Sequence, residues 1–175
     1  MGFTSGEVVV EIATAVEPEV VELINRVYRD AEKGLWLEGY ERTDDREIAA
    51  ITAAGELAVA RLAGRLVGAV RVQRPVDGLG EFGMLAASPE HRGLGIGRDL
   101  VAFAEDWARR QGLGLMQLEL LVPRTWTHPV KEFLREWYTR IGYRKIRTDD
   151  LADAYPALAP RLATPCDFVI YQKNL

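Results

Sequence analysis

The sequence predicts a mixed α/β fold, with strands and helices interleaved along a single domain spanning residues 1–175. Three observations carry this. Segments with apolar residues at helical spacing alternate with short β-branched or alternating runs. The stretch Glu81–Gly97 has the pattern of a strand, a glycine-rich turn and the start of a helix. A content of 48% hydrophobic and 27% charged residues over 175 positions is that of a globular chain able to bury a sizeable core.

In order, Val8, Val10 and Ile12 alternate as a first strand, and a turn from Thr14 leads to Pro18 at a helix start. Val20, Leu23, Ile24, Val27 and Ala31 recur at helical spacing, and a glycine-bounded aromatic segment, Gly34–Arg42, follows. Thr43 is expected to cap a second helix that ends near Gly55. Residues 56–62 and 66–73 form a hairpin about Ala63-Gly64-Arg65, and Asp77-Gly78 turns the chain into a central strand at Glu81. By the two-residue repeat, Glu81 shares a face with Leu85 and Ala87.

After the glycine turn, Leu100, Phe103, Ala104 and Trp107 line one face of a helix; Asp99, Glu105, Asp106, Arg109 and Arg110 line the other, and Gly112 lies beyond its end. Residues 116–122 are a nearly continuous apolar run broken by Gln117 and Glu119, as in a central strand covered on both faces. A proline-bounded loop precedes a helix over 130–140 with Phe133, Leu134, Trp137 and Ile141 on its apolar side. A strand over 143–148, an irregular excursion over 153–162 and a last strand over 166–172 complete the chain.

The net charge of −4 and pI near 5.3 argue against a nucleic-acid footprint and leave small ligands as partners. Without a signal peptide or an apolar run that could cross a bilayer, and with Cys166 as the only cysteine, the expectation is a cytoplasmic protein with neither membrane contact nor disulfide. Two distant histidines and acids without ligand spacing predict no metal site.

Gly93, Gly95 and Gly97 leave the backbone bare just before a helix, so that several N–H groups can converge on one anion. A P-loop is excluded because no Gly-Lys pair occurs, and a dinucleotide fingerprint because Leu100 stands where its third glycine belongs. The remaining pattern, Arg92-x-x-Gly95-x-Gly97, resembles the Gln/Arg-x-x-Gly-x-Gly/Ala loop with which the GNAT superfamily of N-acetyltransferases binds the pyrophosphate of coenzyme A. Tyr138-Thr-Arg-Ile-Gly142-Tyr143 resembles the same family's Tyr-x-x-x-Gly-Phe/Tyr.

The resemblance implies a twisted, mostly antiparallel central sheet with a splayed parallel pair and helices on both faces. It further implies acetyl-CoA as cofactor, held by Arg92, Gly93, Leu94, Gly95, Ile96 and Gly97, with its pantetheine arm along Met84, Leu85, Ala86 and Ala87. The family's acceptor wall makes Trp36, Tyr40 and Arg42 substrate contacts; a core Trp36 and a solvated Arg42 remain the alternative. Arg124 and Trp126, with His128, line the same pocket or form an ordinary surface loop. Where the family often has an Asn contacting coenzyme A, this chain has Val130, Lys131 and Glu132.

Acetyl transfer to an amine needs a base and an acid. Glu81 and Glu119 are both candidate bases, with Glu119 favoured because an acid flanked by Leu118 and Leu120 is hard to explain as surface. Tyr138 is the candidate acid, since a phenol with an ordinary pKa of about 10 can protonate a leaving thiolate. The expected function is N-acetylation of a small primary amine by direct attack, with a non-catalytic acyl-CoA-binding domain as the alternative. A homodimer is compatible with either.

Overall fold

The computed structural model describes residues 7–175; the six residues before Glu7, part of the expected domain, lie outside that range. Its frame is a seven-stranded sheet built from β1 (Val8–Ile12), β2 (Leu57–Leu62), β3 (Arg65–Val76), β4 (Leu79–Ala87), β5 (Leu115–Pro123), β6 (Arg144–Asp149) and β7 (Cys166–Asn174), in the order β1-β2-β3-β4-β5-β7-β6. Every pairing is antiparallel except β4 with β5. That parallel pair is registered only from Leu79↔Leu115 to Glu81↔Gln117, and beyond it the two strands part.

One face of the sheet is covered by α3 (Ile96–Arg110), whose fully buried Leu100, Ala104 and Ala108 pack with Val70, Val72, Phe82 and Met116. Burying a leucine of this kind contributes roughly 1.5–3 kcal/mol. Gly68 lets the helix approach, since a Cβ there would stand 2.9 Å from both Ile96 and Leu100. On the other face, α1 (Pro18–Ala31) and α2 (Asp45–Ala53) bury Val20, Ile24, Ile48 and Ile51 against Met84 and Ala86 of β4. The first helix starts at Pro18, where a missing N–H costs nothing. The second is capped by Asp44, not Thr43: the Asp44 carboxylate accepts from Glu47 N–H at 2.8 Å, while Thr43 points its hydroxyl at the Glu47 side chain.

Besides the cap of α2, four sequence expectations are corrected. Glu81 does not share a face with Leu85 and Ala87, because β4 carries one extra residue against β3 between Gly83 and Ala86, with Met84 at φ 53°. This bulge inverts the alternation, so Leu85 and Ala87 join the α3 side with Phe82, while Met84 and Ala86 take the α1 side. Glu105 is buried, drawn inward by Lys173 Nζ at 2.6 Å. Phe133 is 59% exposed; in α4 (Pro129–Arg140) the buried positions are Lys131 and Tyr138, with Leu134 between them. The excursion starts earlier than expected, as α5 (Leu151–Ala154) capped by Asp150, and continues through a short 3-10 turn at Ala159–Arg161.

Among the described residues no helix is long and apolar enough to cross a membrane. Nor does any group of three His, Cys, Asp or Glu side chains among them come together as a metal ion needs.

Candidate active site

The parting of β4 and β5 opens a cavity of about 430 Å³. Its floor is β4 from Glu81 to Leu85 and β5 from Leu118 to Leu121. The end of α1 and the α1–α2 connection form one wall, with Tyr28, Trp36, Tyr40 and Arg42; α4 closes another with Lys131, Leu134 and Tyr138. The excursion after β6 adds Leu151, Tyr155 and Leu158.

Beyond the C-terminal end of β4 lies the glycine loop. Gly93 and Gly95 take left-handed φ angles of 83° and 73°, and Gly95 is the N-cap of α3. The first main-chain bond across the junction runs from Asp99 N–H to the Gly95 carbonyl at 2.9 Å. Among the described residues, no protein acceptor takes the N–H groups from Arg92 to Arg98. They collect at the positive end of a 15-residue helix, beside the exposed guanidinium of Arg98. The turn before the loop is tied down: Ser88 Oγ donates to Glu90 at 2.7 Å, and Glu90 pairs with Arg26 of α1 at 2.7 Å.

Glu81 is buried, and neutral amides satisfy both its oxygens. Gln73 Nε2 donates at 2.9 Å and Gln117 Nε2 at 2.7 Å, with Gln117 in turn accepting from Gln172 at 2.8 Å. This explains why Gln117 interrupts an apolar strand. Two residues further along the same face, half-buried Glu119 accepts the Tyr155 hydroxyl at 2.8 Å. Burial, then the charge of Glu81, pushes its pKa up to about 7, against a smaller lowering by the Tyr155 hydrogen bond. A carboxyl poised there can take a proton near neutrality.

Tyr138, 5% exposed, packs against Phe82 and Trp137, with ring centroids 6.0 and 5.0 Å away. Burial holds its phenol protonated far above the ordinary range. Tyr143 is wholly buried and belongs to the core.

Of the expected acceptor contacts, Trp36, Tyr40 and Arg42 line the cavity, Trp36 stacked on Tyr40 at 3.9 Å. Arg124 and Trp126 are not brought there. Arg124 bonds to Asp167 at 2.9 Å, and Trp126 donates to Thr164 at 3.0 Å with its ring against Gly34. His128 is buried and accepts from Val130 N–H at 3.3 Å through Nδ1, so its Nε2–H donates to the Lys33 carbonyl at 3.1 Å.

Sequence reasoning missed three participants. Lys131 and Glu32 form an ion pair of 2.6 Å, both side chains under a tenth exposed, and Glu32 also accepts from Trp36 Nε1 at 3.1 Å. The signal for Lys131 was its place three and seven residues before Leu134 and Tyr138, inside the buried stripe of α4. Tyr155 lies in an irregular segment and gave no signal.

The Acetyltransferase (GNAT) family profile matches residues 19–146, and the chain belongs to that family. No protein with a curated description matches it. Solved structures of similar fold include N-acetylglutamate synthase from Neisseria gonorrhoeae, complexed with coenzyme A and N-acetyl-glutamate. It is 21% identical with a TM-score of 0.69 over 96% of this chain, which spans only 35% of the synthase. A GNAT-family acetyltransferase from Staphylococcus aureus is 17% identical with a TM-score of 0.69, over 96% of this chain and 99% of that one. The PaiA N-acetyltransferase of Thermoplasma acidophilum, complexed with coenzyme A, is also 17% identical with a TM-score of 0.69, over 97% and 99% of the two chains.

Proposed function

We propose that this chain is a single-domain, cytoplasmic N-acetyltransferase that moves the acetyl group of acetyl-CoA onto a small primary amine by direct attack. The observation that carries the reading is one cavity lined by both Glu119, with its pKa raised to about 7, and the protonated Tyr138. The cofactor's chemistry fits the donors available: unpartnered amides from Arg92 to Arg98 suit a diphosphate. The β4 edge from Phe82 to Ala87, without a partner on the β5 side, suits an amide-bearing arm such as pantetheine.

Bound there, acetyl-CoA supplies an activated acyl group and a sulfur leaving group. Glu119 takes the proton that frees the amine, directly or through water, and passes it to solvent. Glu81, its carboxyl oriented by two amide donors, lies beside the incoming cation. Tyr138 protonates the sulfur as the C–S bond breaks and the C–N bond forms, and it recovers a proton from the acylated nitrogen. One proton is released per turnover.

Thiol release measured against a panel of primary amines tests this. The expected result is amine-dependent release that Tyr138→Phe slows by roughly 100-fold, the lower end of what a general acid contributes. Tight acetyl-CoA binding with no release on any amine, and no effect of Tyr138→Phe, would instead support a non-catalytic acyl-CoA-binding domain.

A further inference from the structure

The acceptor's second functional group can be read from the cations that surround the cavity. Among the described residues three line it, and two are in close ion pairs: Lys131 with Glu32 at 2.6 Å, and Arg71, through one terminal nitrogen, with Glu56 at 2.8 Å, its buried Nε having no partner. The third, Arg42, is different. Its guanidinium lies 5.3 Å over the Tyr28 ring, with a side chain 30% exposed. The nearest carboxylate, Glu47, is 3.9 Å away, too far for a hydrogen bond, and the oxygen facing it already accepts the Thr43 hydroxyl at 2.6 Å. Among the described residues Arg42 makes no hydrogen bond to any carboxylate or carbonyl. Burial works against its charge, yet the neighbouring phenols Tyr28 and Tyr40 and the carboxylates of Glu47 and Glu32 outweigh this and raise its pKa. It stays a cation.

We infer that the acceptor is an amine that also carries a carboxylate, and that Arg42 receives this carboxylate while Glu119 and Glu81 face the ammonium. The inference rests on the transferase reading and adds the class of substrate. A planar guanidinium held over an aromatic ring at the cavity wall, partly buried and with no carboxylate within hydrogen-bond distance, matches the two oxygens of a carboxylate side by side. The opposite pole, on β4 and β5, is acidic and suits the other end of a zwitterion. A diamine of the same length would set its second ammonium against Arg42, and a plain alkylamine would leave the guanidinium without an acceptor. Either arrangement is penalised in a partly buried site.

The test uses matched acceptors in the thiol-release assay. Unbranched ω-amino acids of three to six carbons are each compared with the diamine and the alkylamine of equal length, and α-amino acids with their carboxamides. Calorimetric titration of the same probes into the protein saturated with coenzyme A gives a readout independent of turnover. In the best pair the carboxylate member should be favoured at least about tenfold in kcat/KM and in binding. Arg42→Gln should shrink that ratio to about threefold or less, and Arg42→Lys, which keeps the charge without the fork, should retain part of it. Diamines or carboxamides preferred in every pair, or a ratio unmoved in Arg42→Gln protein that melts like the parent, would overturn the inference. If coenzyme A fails to bind, or no amine of any kind releases thiol, the transferase reading itself falls and takes this one with it.

Discussion

The cavity and the glycine loop beyond the end of β4 are made of different material. The loop from Arg92 to Arg98 offers main-chain amides, contiguous in sequence and shaped by Gly93 and Gly95 at positive φ. The acceptor end is built from side chains: Arg42 from the α1–α2 connection, Glu81 and Glu119 from two strands, Lys131 from α4 and Tyr155 from the excursion. A main-chain site depends on local conformation and tolerates most side-chain changes. A side-chain site depends on tertiary placement and fails at single atoms. Substitutions that remove a reacting or ion-paired group at the acceptor end should therefore act on chemistry and stability with large effects, and those in the loop mainly on cofactor affinity.

Glu119→Gln makes the sharpest break. It should lower kcat about 100-fold or more, within the range for a general base, while the KM for acetyl-CoA changes little. In the parent, kcat/KM should rise with pH through about 7 as Glu119 ionises, and the variant should lose that limb. Stability should follow the same group with a definite sign. Because folding raises the Glu119 pKa, its contribution is fully present below the ordinary carboxylate range and is lost as pH rises through about 7. Glu119→Gln should flatten that part of the pH dependence of the melting temperature.

Lys131→Met comes next. It leaves Glu32 charged, buried and without its cation, a change that costs about 3–5 kcal/mol in comparable buried pairs. Denaturant unfolding measures it, and adding Glu32→Gln should recover much of the loss. If Lys131→Met alone were neutral, the acceptor wall would be far less rigid than a 2.6 Å buried pair implies.

The same contrast decides what was legible in the sequence. The order of strands and helices and the glycine loop were readable because periodicity and spacing are local properties. Trp36, Tyr40 and Arg42 were also anticipated, by family resemblance, and they do line the cavity. The facing of Glu81 was misread because a bulge at Met84 leaves no mark in a two-residue repeat. For Arg124 and Trp126 the long connection before α4 leaves pocket and surface loop equally open; in the structure they fasten the β5–α4 loop to Asp167 and Thr164. Tyr155 was invisible because nothing in an irregular segment says which side chain folds back 36 positions to meet Glu119.

Gly95→Ala probes the main-chain end, where a smaller effect is expected. A Cβ at φ 73° costs about 1–2 kcal/mol in backbone conformation. It would also lie 2.6 Å from the tip of Arg98, a flexible side chain that can swing aside. The KM for acetyl-CoA should rise roughly tenfold by that conformational cost, with kcat close to the parent value. A fall in kcat with unchanged KM would mean that the loop takes part in chemistry, and the division between the two ends would be wrong.

The smallest effect expected belongs to Tyr155→Phe, which tests whether Glu119 is tuned or merely buried. The hydroxyl donates to Glu119 at 2.8 Å and opposes the upward push of burial and of Glu81. Removing it should raise the Glu119 pKa further, so the acid limb of kcat/KM should move to higher pH by about half a unit to one unit, the value of one ordinary hydrogen bond. At pH values well above the limb, where Glu119 is ionised in both proteins, the two rates should converge. Phenylalanine keeps the edge-on contact with Phe168 at 5.6 Å, so a role confined to packing would leave the limb where it is. A limb that moves while the melting temperature stays fixed would assign Tyr155 to the proton inventory of the site, as a residue that positions and tunes the base without touching the acyl group.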